Sequence, residues 1–142
     1  MGHIFYPLET LPLQYDIVWC LYPESGLTPG PIARPSLVLD VRVNQQQKIG
    51  AVICTYGTGE FEARHYKEDL IIPPLEYQAL GLHKPTRFAL GLNSRMQLAW
   101  GPKYFVAPEY AKSQNLIIGG LNGEQIDRML ERLKRRGLEP YA

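Results

Sequence analysis

Arg34 sits in the stretch PGPIARPSLVLDV (29–41), with no carboxylate for several residues on either side. Prolines at 29, 31 and 35 stiffen the loop that carries it, just before the apolar residues Leu37, Val38, Leu39 and Val41. A guanidinium cannot act as a base near neutral pH, but its planar fork suits a phosphate oxygen. A second stretch, CTYGTGE (54–60), offers the hydroxyls of Thr55 and Thr58 beside Gly57 and Gly59. The runs SLVLDVRV (36–43) and IGAVICTY (49–56) are separated by the polar NQQQK, the pattern of a β-hairpin. In an antiparallel pair the start of one strand lies beside the end of the other, which predicts Arg34 next to Thr55–Thr58. A guanidinium and a hydroxyl converging on one patch make an oxyanion or phosphate site. The plainer alternative is a packing arginine and two turn threonines.

The sequence lacks other familiar catalytic sets. It has no Cys-x-x-Cys or His-Glu-x-x-His spacing, so no metal and no other cofactor is expected. YGTGE lacks the Lys-Ser/Thr ending and the following helix of a phosphate-binding P-loop. His3, His65 and His83 are scattered through polar segments. Two of them could run acid–base cleavage of RNA, but surface positions are the simpler expectation.

The elements that must position Arg34 and the threonines read as a succession of short strands. YDIVWCL (15–21) is β-branched and aromatic, hence a strand, and YPESGLTPGPIA (22–33) is a loop punctuated by Pro and Gly. After the central hairpin, DLIIP (69–73) is a short strand stopped by Pro73 and Pro74, and LEYQAL (75–80) has room for one or two helical turns. TRFALGL (86–92) and MQLAW (96–100), separated by NSR, predict a second hairpin. In the tail, NGEQIDRMLERLKRRG (122–137), Ile126, Met129, Leu130 and Leu133 form one apolar helical stripe. Asn122 and Gln125 make an N-cap pattern, and Gly137 is the stop. Glu124 with Arg128 and Glu131 with Arg135 are expected ion pairs one turn apart. Arg132, Lys134, Arg135 and Arg136 suit the negative end of the helix dipole, with an RNA-phosphate or partner contact as the alternative. Short, closely spaced strands and a closing helix predict a mainly β fold, a small, strongly bent β-barrel with a C-terminal α-helix.

Bulk composition agrees. A chain of 142 residues, 45% hydrophobic and 20% charged, suits one domain over 1–142 and gives no sign of disorder. A net charge of +1 excludes a strongly basic, DNA-coating protein but leaves room for a local basic groove. Cys20 and Cys54 lie in apolar runs and are expected to be buried thiols of a reducing compartment. With no membrane-spanning apolar run and no secretory signal at the N-terminus, the expected location is the cytoplasm.

The order DIVWC, a Pro/Gly-bearing loop, ARPSLVLDV and VICTYGT resembles the PemK/MazF family of toxin–antitoxin toxins, best over residues 14–60. The resemblance implies an SH3-like barrel of the PemK/MazF/CcdB type, a homodimer, and a metal-independent endoribonuclease. It carries the family's Arg-Pro arginine onto Arg34 and its active threonine onto Thr58 or Thr55. It also implies a cognate antitoxin protein as partner. The reading that follows is cleavage of single-stranded RNA by internal 2′-hydroxyl attack, with Arg34 and one threonine on the scissile phosphate. Tyr56, Trp19 and Tyr22 are candidates to stack a base, with core packing the alternative for Trp19. The rival reading is a non-catalytic SH3-like barrel that binds a protein partner or nucleic acid, including a gyrase-inhibitor-type toxin. Its best support is that no histidine or carboxylate is evidently aimed at the site.

Overall fold

The apolar runs around Arg34 are nearly continuous because the strands they form are buried on both faces. The computed structural model describes residues 4–141. Strand β1 (Asp16–Cys20) pairs with β2 (Arg34–Asn44), and β2 pairs with β3 (Ile49–Thr58), all antiparallel. Strands β4 (Leu70–Ile72), β5 (Thr86–Phe88), β6 (Met96–Ala99) and β7 (Ile117–Gly120) complete one curled, seven-stranded antiparallel sheet. Its order is β4-β5-β3-β2-β1-β7, with β6 also on β3. The result is a half-barrel. A one-turn helix α1 (His65–Glu68) precedes β4, and α2 (Gly123–Arg135) closes the chain.

Each face of the sheet has its own core. Ile17, Leu37, Leu39 and Ile53 face inward onto Leu70, Ile72, Phe88 and Leu90, with Met129 and Leu133 of α2 above them. Val18, Cys20, Val38, Val52 and Cys54 face the other way onto Leu98, Trp100, Tyr104 and Phe105. The N-terminal segment covers this second core: the Tyr6 hydroxyl donates to Phe105 O (2.7 Å), and the Trp100 indole donates to Thr10 Oγ1 (3.0 Å). Between Val38 and Asp40 the β2–β3 register shifts, a bulge that adds local bend to the strand.

The central hairpin and the tail helix form as expected. Asn122 Oδ1 accepts from Gln125 N, while Gln125 Oε1 accepts from Asn122 N, each at 2.8 Å, and the chain leaves the helix at Gly137 with φ 66°. Three expectations are corrected. Residues 86–88 and 96–99 do not pair with each other: both lie along β3, β5 opposite Gly57–Thr58 and β6 opposite Ala51–Cys54. The 3-10 turn Leu92–Ser94 between them carries the chain along β3 instead of reversing it. Arg128 does not pair with Glu124 but reaches across to Glu76 (2.6 Å), which Gln125 also contacts (2.9 Å). That guanidinium holds the Glu76 carboxyl below the ordinary carboxylate range, against the opposing effect of burial. His65 is buried, not on the surface, and its Nδ1 accepts from Glu62 N at 2.8 Å. His3 lies outside the described residues.

Candidate functional site

The β2–β3 register brings Ser36 opposite Tyr56, and the same alternation continued two residues further out carries Arg34 and Thr58 to one face, where both line one cleft. On its other side Thr58 is paired with Arg87 of β5. Cross-strand partners point to the same face, so one threonine hydroxyl sits between two guanidinium-bearing positions. The strands come this close because Gly57 has no side chain. A Cβ there would lie 2.7 Å from Pro35 O and 2.8 Å from the Phe88 ring. Gly30 does the same for the loop before Arg34, where a Cβ would meet Tyr22 O at 2.4 Å. The loop therefore folds back over the end of β1.

These residues line a cleft of about 750 Å³ with Tyr22, Glu24, Tyr56, Glu60 and Lys84 among its walls. Three cations, Arg34, Lys84 and Arg87, face two carboxylates, Glu24 and Glu60, which leaves the lining net positive. Arg34 is 39% exposed at its side chain and lies 3.8 Å from Glu24 Oε1, at the limit of an ion pair. The Thr58 hydroxyl accepts from Glu60 N (3.1 Å) and retains its proton as a donor toward the cleft. Arg87 is mostly buried, with Nη1 2.8 Å from Asp69 Oδ2 and Nε donating to Glu60 O at 3.2 Å. Asp69 also takes Arg136 of the tail (3.1 Å) and the backbone N–H of Leu90 (3.0 Å). Asp69 is thus a buried anchor for two arginines, and Arg136 of the basic helix end is a docking contact within the chain.

Of the six residues expected at the site, four meet in this cleft: Arg34, Thr58, Tyr56 and Tyr22. Tyr22 is largely buried, its hydroxyl donates to Ser94 O (2.5 Å), and its ring lies 5.3 Å from that of Tyr56. Burial, then the neighbouring Cys54, Tyr56 and Cys20, pushes its phenol pKa well up, so it is a neutral wall of the cleft. Tyr56 is half-buried and is the ring of the pair more open to a ligand.

The other two lie elsewhere. Thr55 is fully buried and faces the inner core beside Leu37, with its hydroxyl donating to Ala89 O at 2.6 Å. Thr55 and Thr58 are three positions apart, and strand alternation puts them on opposite faces. Trp19 shares the inner face with Ile17, is largely buried, and lines a different cavity. Neither it nor the fully buried Trp100 offers an exposed apolar face for a second subunit.

Glu24, Lys84 and Arg87 were not legible as site residues. Glu24 is the one carboxylate of the loop 22–33, which was the available signal, but its ten-residue separation from Arg34 hid the contact. Cys54 lies behind the cleft in the second core, where its hydrogen bond with Cys20, then burial, pushes the thiol pKa well up. It is an inert packing group. Among the described residues, no helix is long and apolar enough to cross a membrane.

Comparison of the chain with models of known protein families, with curated proteins and with solved structures gives no match.

Proposed function

We propose that this protein is a metal-independent endoribonuclease acting on single-stranded RNA, a PemK/MazF-like toxin whose half-barrel is of the SH3-like type. The observation that carries the reading is the meeting of Arg34, Thr58 and Glu24 in one net-positive cleft. An RNA phosphate seated there lies within reach of a bidentate cation and a hydroxyl donor, and both gain strength as charge builds on its oxygens. Glu24 is the carboxylate that the sequence alone did not aim at the site. Beside Arg34 it accepts the proton of a 2′-hydroxyl as that oxygen attacks phosphorus. The O2′–P bond forms and the P–O5′ bond breaks. The departing 5′-oxygen takes a proton from Lys84, and the products are a 2′,3′-cyclic phosphate and a 5′-hydroxyl. Arg87, fastened to Asp69, keeps the phosphate-facing wall positive without swinging free. A cognate antitoxin covering this cleft and a homodimeric assembly belong to the same proposal.

The test is incubation of the pure protein with a long RNA in EDTA, followed by end-group analysis. Cyclic phosphate ends are expected, with Glu24→Gln much slower than wild type. RNA that stays intact under these conditions ends the nuclease reading and leaves a barrel that binds a partner.

A further inference from the structure

A second cavity, of about 760 Å³, is lined in part by Leu82 and His83. Lys84 lines the Arg34 cleft, while Leu82 and His83 line this one, so consecutive residues of one segment reach both cavities. Its walls gather aromatic rings. Tyr110 lies 6.1 Å from Trp19 and 6.3 Å from His83, in both cases edge-on, and Tyr110 itself is 66% exposed. Lys112 stands at the same cavity, the Asn115 side chain supplies an amide, and no Asp or Glu is among the lining residues. In volume it falls within the roughly 300–1,000 Å³ of small-ligand sites.

An exposed ring held edge-on by two others is a rigid platform for a planar partner, and ring stacking accepts any base. A lysine in a lining that holds no carboxylate among the described residues favours an anionic chain. The amide adds a donor and an acceptor for a base edge. We infer that this cavity is a base-binding subsite. It takes a splayed nucleobase of the same RNA strand whose phosphate is held at Arg34, with Tyr110 as its stacking platform and Lys112 on a flanking phosphate. The inference rests on the nuclease reading, and it makes Tyr110 a base-binding residue, His83 a positioning residue for its ring and Asn115 the specificity-determining residue, all outside the reacting cleft.

The experiment uses the full chain and short single-stranded RNAs carrying 2-aminopurine at successive positions. Wild type should quench the probe strongly at one position offset from the cleavage point. Tyr110→Ala should abolish that quench and weaken binding roughly 5- to 150-fold, the value of one stacked base, and Tyr110→Phe should restore both. A dinucleotide, which reaches only the Arg34 cleft, should bind wild type and Tyr110→Ala equally. If wild type cuts RNA and Tyr110→Ala binds the longer RNAs unchanged, this inference is overturned, the nuclease reading stands, and the cavity is left to a protein segment. If wild type neither binds nor cuts RNA, both fall together.

Discussion

Replacing Arg34 separates catalysis from stability, because the structure assigns its side chain little of either core. The guanidinium is 39% exposed, and its ion-pair partner, Glu24, is 59% exposed and 3.8 Å away. Such a pair contributes about 0.2–1 kcal/mol. For a chain of this size that is a Tm change of at most about 2–4 °C. The cost to the reaction is of another order. Losing one preorganised donor from a developing oxyanion costs roughly 10²- to 10³-fold in rate, about 2.7–4 kcal/mol of barrier. Lys84 and Arg87 remain in the cleft after Arg34→Ala, so RNA binding should fall less than the rate of the bound complex. Arg34→Lys keeps the charge but loses the two-pronged geometry, and should be nearly as slow as Arg34→Ala. The loop stiffened by Pro31 and Pro35 starts the arginine from a fixed base, an advantage that lysine's more flexible stem discards. The assay is single-turnover cleavage of a labelled RNA in EDTA for the three proteins, with thermal melts alongside. An Arg34→Ala protein that melts like wild type and cuts at the wild-type rate would refute the placement of the site.

Three further predictions use residues whose positions the fold decides. Thr55→Val leaves the buried Ala89 carbonyl without its donor and should cost about 1–3 kcal/mol of stability with cleavage untouched. Thr58→Val should do the reverse, melting like wild type while cutting about 10²-fold more slowly, and the same two assays read both. Glu76 titrates below its ordinary value in the folded state, so the folded protein releases this proton more readily than the unfolded chain. Its pair with Arg128 therefore stabilises above the ordinary carboxylate range, and that stability is lost as pH falls through the lowered pKa. At pH 7 Glu76→Gln should melt roughly 2–4 °C below wild type, the equivalent of a partly exposed pair of about 1 kcal/mol. The gap should close as pH falls through the lowered pKa, and a gap that persists once the carboxyl is protonated shows that the ion pair is not its source.

Local patterning accounts for what the sequence by itself determined. Two apolar runs around NQQQK specify the central hairpin, and antiparallel pairing then puts Arg34 at the Thr58 end whatever surrounds it. The helix over 123–135 follows from its own stripe and capping residues, which need no partner to be recognised. The second predicted hairpin failed because two apolar runs with a short spacer say nothing about a third strand long enough to hold both. β3, with ten residues, is that strand. Only the tertiary structure decided between the threonines. Their spacing requires opposite faces, but β3 is apolar on both, so alternation could not tell which face packs on Ala89 and which opens to the cleft. The same is true of Glu24, Lys84 and Arg87, whose arrival beside Arg34 depends on the back-folded loop and on β5 docking against the end of β3. A strand's neighbours are set by burial summed over the whole sheet, a quantity that no short window of sequence contains.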